Sequence, residues 1–480
     1  MGSAAKPHRD EWAAFTSAML EVQEFVRAAR QTPEKFPLFV ADDRLEARFE
    51  RPAPLPTAAV PLDAAVSELL GVLQAGYCNA SHPNYHAYFA ARPRLEAVLG
   101  DYLGEALNQT PAAWRAGPGA TVIESEVLAW IADFIGFPRG PGRWPGGIVT
   151  GGGHLANLAA LKLARDRALG EAIQAEGLRG APEAAVYMSR EGHFSIARAL
   201  DILGHGRRAL REIEVDDRGR MLPQALAEQI AADRRRGVVP LAVVAIAGTS
   251  GSGAVDPLEE IAAIAREHGA WFHVDGAAGA AMARLPGCAE RFAGLAEADS
   301  VTLDPCKWLF APYGIGVLLV RSGDVLLRAF PSASHYWEER GEPDLFAMGP
   351  YGSRQVRTLG LWLLFRSLGA DGLRELLGEL RRLTAYLADR VDKAAELELL
   401  HRPELAVCVL RARRPGDDEA ATNHLNATIQ RRLLESNRAF VTTLDWRGAT
   451  YLRVGVNNYI LTESDIDRLI DSVLAIVAEA

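Results

Sequence analysis

"LAVVAIAGTSGSGAVDPLEEIAAIAREHGAWFHVDGAA", residues 241–278, is the stretch that decides the fold. The apolar runs 241–248 and 271–278 are typical of buried strands, and the segment 256–269 between them has the apolar spacing of a helix. Strands joined by a helix of this length are expected to lie parallel, because a tight turn joins only antiparallel neighbours. The stretch therefore predicts one strand–helix–strand unit of a parallel sheet.

The same alternation continues on both sides of this unit. Apolar runs predict further strands at 184–189, 299–303 and 316–321, and a helix at 121–137. A second strand–helix–strand block is predicted at 405–413, 423–436 and 450–458. The chain is therefore expected to be α/β, with a mainly parallel sheet in a large domain and a smaller C-terminal α/β domain. We predict an N-terminal helical and extended segment at 1–85, a large domain at 86–365 and a small domain at 366–480.

The composition is that of an ordinary globular protein and argues against several classes of partner. The 480 residues are 49% hydrophobic and 24% charged, as in ordinary globular proteins. A net charge of −9 without a basic stripe argues against nucleic-acid or anionic-membrane partners, and the sequence lacks an apolar stretch of about 18 residues. The cysteines match no metal-binding spacing, so we expect no metal site and a reduced, cytoplasmic protein. They are Cys78, Cys288, Cys306 and Cys408.

A lysine in apolar surroundings is the first sign of chemistry. Only five of the 52 basic residues are lysines, and Lys307 follows an apolar run in "VTLDPCKWLF" (301–310). Burial lowers the pKa of a lysine by about 3–5 units unless a partner compensates. Asp275 likewise ends an apolar run, in "WFHVDGAAGA" (271–280). A carboxylate in such a position requires a cation or a strong donor.

Other motifs in the same region are ambiguous one by one. The glycine triplet 151–153 precedes a helix, where backbone N–H groups bind a phosphate, or it is an ordinary glycine-rich turn. His193, in "SREGHFSIARAL", follows a strand and is a site residue or a satisfied histidine. Thr249 and Ser250 follow another strand, either as part of a turn or among the ligand-binding groups that collect at strand ends.

Considered together, these residues fit pyridoxal 5′-phosphate. Lys307 would form a Schiff base with the aldehyde of the cofactor, and Asp275 would keep its pyridine nitrogen protonated. The helix that begins after Gly153 would hold the phosphate, and His193 would lie on the face of the ring.

Four motifs resemble a known family, the pyridoxal-phosphate-dependent group II amino-acid decarboxylases of the aromatic-L-amino-acid decarboxylase type. They are "HPNYHAYF", "SREGHFSIARA", "FHVDGAA" and "DPCKWL", and the resemblance extends over residues 82–456. It implies a fold type I, aminotransferase-like structure with a seven-stranded sheet. It also implies decarboxylation of an L-amino acid to an amine in a homodimer with shared active sites.

The resemblance also implies roles for individual residues. Lys307 matches the Schiff-base lysine, Asp275 the carboxylate on the pyridine nitrogen, and Ala277 the small residue under the ring. His193 matches a ring-stacking histidine, and Thr249 with Ser250 matches a hydroxyl pair. Gly152, Gly153 and His154 match the phosphate loop, and Cys306 matches the residue next to the lysine.

The resemblance further implies a proton donor and a substrate pocket. Tyr336 matches the tyrosine of a mobile loop that protonates the substrate carbon after carbon dioxide leaves. Tyr88 and Phe89 match side chains that contact an aromatic substrate. Thr110 and Ala112 match a stretch that completes the pocket from the partner subunit. An aromatic amino acid is therefore the expected substrate.

Three departures from the family keep alternatives open. Cys306 stands where the family usually has histidine, His154 where it has serine or threonine, and "VDGAA" replaces "VDAAY". One alternative is an aldehyde synthase, or a carbon–carbon or carbon–sulfur lyase, on the same scaffold. Another is a catalytically weak relative that binds the cofactor.

Overall fold

The computed structural model describes residues 10–32, 35–40, 43–89, 92–142, 144–331 and 344–479. The strands are β1 (Gly147–Thr150), β2 (Ala184–Ser189), β3 (Leu210–Ile213), β4 (Val239–Ile246), β5 (Trp271–Asp275), β6 (Ser300–Leu303), β7 (Gly316–Val320), β8 (Leu397–Leu399), β9 (Val407–Ala412), β10 (Thr442–Trp446) and β11 (Ala449–Gly455). The helices are α1 (Asp10–Gln31), α2 (Asp43–Glu50), α3 (Leu62–Ala75), α4 (Leu95–Ala106), α5 (Pro118–Ile135), α6 (Gly153–Leu169), α7 (Ile173–Glu176), α8 (Ser195–Ile202), α9 (Pro223–Arg235), α10 (Leu258–Glu267), α11 (Asp324–Ala329), α12 (Thr358–Asp392), α13 (Glu419–Glu435) and α14 (Glu463–Glu479).

The main sheet has seven strands in the order β1-β7-β6-β5-β4-β2-β3. Its neighbours are parallel except at β7, which runs antiparallel to both β1 and β6. Every residue of β2, β5 and β6 is buried, as expected of strands covered on both faces by helices. The predicted fold class, α/β of the fold type I kind with a mainly parallel sheet, is confirmed. A second sheet has four strands in the order β10-β11-β9-β8.

The predicted strands correspond to observed ones within a few residues. The run at 184–189 is β2, and the run at 299–303 begins one residue before β6. The sequence did not indicate β1, which has four residues, or β3, whose sequence "LREI" is half charged. Short or charged strands show little of the apolar periodicity from which strands are predicted, so these two strands are recognised only from their pairing in the sheet.

Contacts divide the chain into two compact units. The first contains Met1–Tyr88, Arg411–Leu452 and Ile460–Ala480; the second contains Phe89–Leu410 and Arg453–Tyr459. In the first unit α1 packs on α3, and α13 on α14. In the second unit α4 packs closely on α12. Glycine at position 100 permits this approach, since a Cβ there would lie 2.4 Å from the backbone nitrogen of Gly360. The three predicted segments at 1–85, 86–365 and 366–480 remain a prediction.

The sheet of the second unit positions the predicted chemistry. The carboxyl ends of β4, β5 and β6 lie side by side, and open α/β sheets bind ligands at this edge. Ser250 follows β4, Asp275 is the last residue of β5, and Lys307 follows β6. Within the described residues, no helix is long and apolar enough to span a bilayer.

Candidate active site

The site begins at the glycine loop between β1 and α6. Gly152 has φ of 144°, a conformation that side chains rarely adopt, and α6 starts at the next residue. Space is limited at Gly153, where a Cβ would lie 3.3 Å from the Cβ of Ala277. The loop therefore places the amino terminus of α6 against the residues that follow β5. The N–H groups and dipole of such a terminus favour an anion, including a phosphate.

Asp275 is the buried carboxylate of the site, with 5% of its surface exposed. Its Oδ2 accepts a hydrogen bond from Nδ2 of Asn157 at 2.9 Å, and its Oδ1 accepts one from the backbone N–H of Ala277 at 3.1 Å. Among the described residues, no cationic side chain lies within 4.0 Å of this carboxylate. A buried carboxylate that lacks a cation is suited to a positively charged ligand atom.

The turn after β6 presents Lys307 and is fixed by two aromatic residues. Trp308 is 1% exposed, and its Nε1 donates a hydrogen bond to Oδ1 of Asn457 at 3.2 Å. Phe310 is fully buried with φ of 52°, which is uncommon for a residue other than glycine. Such conformations persist where the surroundings impose them, often at functional sites. The lysine therefore projects from a rigid turn.

The amine of Lys307 has only a distant counter-ion among the described residues. Its Nζ lies 3.9 Å from Oδ2 of Asp304 and 5.3 Å from the ring centroid of Phe89. The Phe89 ring packs edge-on against Trp308, and the guanidinium of Arg453 lies 4.7 Å from the same centroid. Burial raises the pKa of Asp304, while the lysine ammonium opposes that rise. The amine is half-buried, loosely paired and accessible from the pocket, as covalent chemistry with a carbonyl requires.

Two histidines lie between the glycine loop and α8. Nδ1 of His193 accepts a hydrogen bond from the backbone N–H of Ser195 at 3.3 Å, and its ring lies 4.1 Å from that of Phe194. Burial lowers the pKa of His193, and the carboxylate of Asp275 opposes this. Burial also lowers the pKa of His154. Both imidazoles are therefore neutral at pH 7 and able to stack on a flat ring.

These side chains surround a pocket with an empty volume of about 420 Å³. Its lining consists of Gly153, His154, Asn157, Glu191, His193, Ile246, Gly248, Ser250, Asp275, Ala277, Ala278, Asp304 and Lys307. A larger cavity around Arg220 and Glu404 contains none of the predicted site residues.

Most of the predicted cofactor-binding residues meet in this pocket. Those in its lining are Gly153, His154, His193, Ser250, Asp275, Ala277 and Lys307. Three more, Gly152, Thr249 and Cys306, are chain neighbours of lining residues. The Thr249 hydroxyl lies 3.1 Å from that of Ser252, and Cys306 Sγ donates to Oδ1 of Asp304 at 3.2 Å.

The predicted substrate residues are spread more widely. Phe89 lies beside Lys307, whereas Tyr88 belongs to the first unit and packs on Phe440 at 5.8 Å. Thr110 donates a hydrogen bond to the backbone oxygen of Arg354, and Ala112 accepts one from Phe346. Neither Thr110 nor Ala112 lines the pocket. Tyr336 lies outside the described residues.

Three of the lining residues that were not predicted from the sequence have polar or charged side chains: Asn157, Glu191 and Asp304. Asn157 is one helical turn after Gly153, a spacing that places it on the same face of α6, and that spacing is the signal that would have found it. The glycine in "VDGAA" also has a local reason. A Cβ at Gly276 would lie 2.5 Å from the Cβ of Ala280.

Pyridoxal phosphate fits the donor set of this pocket. A protonated pyridine nitrogen would supply the cation that Asp275 lacks, and Lys307 would supply an amine for the aldehyde of the cofactor. The start of α6 is suited to its phosphate. These three requirements are met in the lining of one pocket by residues from α6, β5 and the turn after β6.

Comparison with known proteins agrees with the geometry. The family described as "Pyridoxal-dependent decarboxylase conserved domain" matches residues 46–413. This chain belongs to that family. It is a pyridoxal-phosphate-dependent carboxy-lyase that acts on an amino acid.

Individual relatives differ in substrate. Aromatic-L-amino-acid decarboxylase of Bacillus atrophaeus is 30% identical over 409 residues, which cover 84% of this chain and 82% of that protein. Cysteine sulfinic acid decarboxylase of Mus musculus is 30% identical over 404 residues, 81% of each chain. The solved structure of Oryza sativa TDC with PLP and tryptamine has a TM-score of 0.92 at 25% identity, with 100% of this chain and 99% of that chain covered.

Proposed function

We propose that this decarboxylase acts on an aromatic L-amino acid and releases the corresponding amine. The observation that carries the proposal is the character of the pocket wall. Among the described lining residues, Glu191 and Asp304 are carboxylates in addition to Asp275, which is assigned to the ring nitrogen, and Lys307 is the one cation. The ring of Phe89 lies beside the lysine. An acidic substrate side chain is disfavoured by a surplus of like charge, whereas an aromatic ring gains from packing on another ring.

The residues of this chain have separate tasks in the proposed reaction. When bound, the cofactor supplies an electron-accepting ring for the electron pair left on the substrate carbon. Lys307 would hold the cofactor covalently and would release it to the substrate amine. Asp275 would hold the positive charge at the ring nitrogen, and neutral His193 would contact the ring and help to position the substrate carboxylate. Tyr336 protonates the substrate carbon, and this role rests on the family resemblance.

An acidic amino acid is the second candidate substrate. The guanidinium of Arg453 lies 4.7 Å from the Phe89 centroid, and its Nε donates to the backbone oxygen of Ser250 at 2.7 Å. It therefore brings positive charge to the neighbourhood of the pocket. Cysteine sulfinic acid decarboxylase of Mus musculus, at 30% identity, also favours this candidate.

A homodimer with shared active sites is part of the proposal. Helix α4 exposes a row of large apolar side chains, which monomeric surfaces rarely do. They are Leu95, Val98, Leu99, Tyr102 and Leu103. A second copy covering this face would also account for the predicted role of Thr110 and Ala112, which follow α4, in completing the pocket of the partner subunit. A cytoplasmic location belongs to the same proposal, since all four cysteines are free thiols.

A substrate competition decides between the two classes. The holoenzyme would receive an equimolar mixture of tryptophan, tyrosine, phenylalanine, glutamate, aspartate and cysteine sulfinate, and the amines would be quantified by mass spectrometry. We expect aromatic amines to dominate, and Arg453→Met to leave their ratio unchanged. If the products came mainly from the acidic substrates and disappeared in Arg453→Met, the substrate would be an acidic amino acid.

A further inference from the structure

A continuous line of hydrogen-bonding side chains lies behind the carboxylate of Asp275. Nε1 of Trp271 donates to Oγ of Ser300 at 2.7 Å, and Ser300 Oγ lies 2.8 Å from Nδ1 of His273. Nε2 of His273 lies 3.1 Å from Oδ1 of Asn157, whose Nδ2 donates to Oδ2 of Asp275 at 2.9 Å. The strand period of two places Trp271, His273 and Asp275 on one face of β5.

The two ends of this line fix the direction of every bond. Indole N–H groups only donate, and an ionised carboxylate only accepts. Asn157 must therefore present its N–H₂ group to Asp275 and its carbonyl to His273. His273 then carries its proton on Nε2, so that Nδ1 accepts from the hydroxyl of Ser300. With the Trp271 N–H at the far end, Ser300 accepts one bond and donates the next.

Burial reinforces this arrangement. His273, Ser300 and Asn157 are at most 1% exposed, so no water competes for their hydrogen bonds. Burial lowers the pKa of His273 to about 4, although the carboxylate of Asp275 opposes this shift. The histidine is therefore neutral at pH 7. The line ends in a fixed N–H donor that faces Oδ2 of Asp275.

We propose that Asn157 and His273 are positioning residues that keep Asp275 ionised, so that the proton remains on the cofactor's ring nitrogen. This inference rests on the proposed placement of that nitrogen at Asp275. Without the donor from Asn157, the carboxylate becomes the stronger base. The N–H bond of the ring would then break and an O–H bond would form on Asp275, which would leave the ring neutral and make it a weaker electron acceptor.

The test uses holoenzyme reconstituted with pyridoxal phosphate labelled with ¹⁵N in the ring. The ¹⁵N chemical shift reports protonation of the ring nitrogen directly, and a cofactor titration gives the dissociation constant. We expect a protonated nitrogen in the wild type. Asn157→Leu should move the signal towards the unprotonated position and weaken cofactor binding about 10- to 100-fold, because a hydrogen bond to a charged group is lost. His273→Leu should do the same, with an effect of about 10-fold.

Matched variants separate the proposed role from general damage. In His273→Gln the amide nitrogen takes the place of Nε2, so the ¹⁵N signal should return towards the wild-type position. Thr302→Val should change nothing, since the Thr302 hydroxyl lies 3.4 Å from His273 Nε2 and only supplements the line. Should His273→Leu fail to fold, Ser300→Ala tests the same line with a smaller change and the same expected direction.

The outcomes distinguish this inference from the proposed site. A ¹⁵N signal and a dissociation constant that are the same in wild type, Asn157→Leu and His273→Leu would overturn the positioning role. An equal shift in His273→Leu and His273→Gln would overturn it as well. A ring nitrogen that does not respond to Asp275→Asn would instead refute the placement of the cofactor, independently of Asn157 and His273.

Discussion

Replacing Asp275 with asparagine separates cofactor binding from folding. The carboxylate is 5% exposed and accepts two hydrogen bonds, from Asn157 and Ala277. In Asp275→Asn one of these donors faces an amide N–H₂ group, while the buried negative charge disappears. The two effects oppose one another, so we expect the free energy of unfolding of the apo-protein to change by only about 1 kcal/mol.

We expect a larger effect on the holoenzyme, because the variant would lose the proposed charge-assisted contact with the ring nitrogen. Such a contact contributes about 1.5–3 kcal/mol, which raises the dissociation constant for pyridoxal phosphate roughly 10- to 150-fold. At a cofactor concentration about 100 times the wild-type dissociation constant, the cofactor stabilises the wild type by about 2.7 kcal/mol. A 30-fold weaker variant is stabilised by about 0.9 kcal/mol under the same conditions.

Urea unfolding of both proteins, with and without cofactor, measures these quantities. Asp256→Asn is the matched control, because Asp256 is also a buried carboxylate that accepts two backbone hydrogen bonds, from Met221 and Ile246. It should reduce stability equally with and without cofactor. Equal cofactor-dependent stabilisation of wild type and Asp275→Asn would refute the assignment of Asp275 to the ring nitrogen.

Three further predictions concern pH, product and stability. Because burial lowers the pKa of His273 to about 4, the unfolded chain takes up this proton first as the pH falls. The free energy of unfolding should therefore fall by about 2 kcal/mol more in the wild type than in His273→Gln between pH 8 and pH 5, as urea titrations would show. Tyr336→Phe should direct the product from amine towards aldehyde, detectable by mass spectrometry; an unchanged amine yield would contradict the role of the tyrosine. Arg354→Met should lower the free energy of unfolding by about 3–5 kcal/mol, since it leaves the buried carboxylate of Glu124 without its bidentate partner; a change below about 1 kcal/mol in denaturant titrations would contradict this.

The sequence predicted the residues that follow strands more successfully than those that depend on packing. Asp275 and Lys307 stand out because each charged residue ends an apolar run, and the parallel sheet then brings these strand ends together. Asn157 has no such signal. Its spacing from Gly153 indicates the face of α6 on which it lies, but its contact with Asp275 also depends on how α6 packs over β5.

Residues of the substrate pocket were harder to place for another reason. By the family resemblance, the segment that contains Thr110 completes the substrate pocket of the partner subunit. Within its own chain, the Thr110 hydroxyl donates a hydrogen bond to the backbone oxygen of Arg354. Complementarity between subunits leaves no periodic trace in one sequence. The glycine of "VDGAA" is likewise explained only by the structure, through the proximity of Ala280 to Gly276.

The central claim is that this chain decarboxylates an amino acid through a cofactor held by Lys307. Its most direct test is a mass-spectrometric assay of amine and carbon dioxide from purified holoenzyme and a pool of L-amino acids, beside Lys307→Ala. We predict one amine and one carbon dioxide per amino acid consumed, and neither product from the variant. An undiminished yield from Lys307→Ala, or carbon dioxide without an amine, would contradict the account.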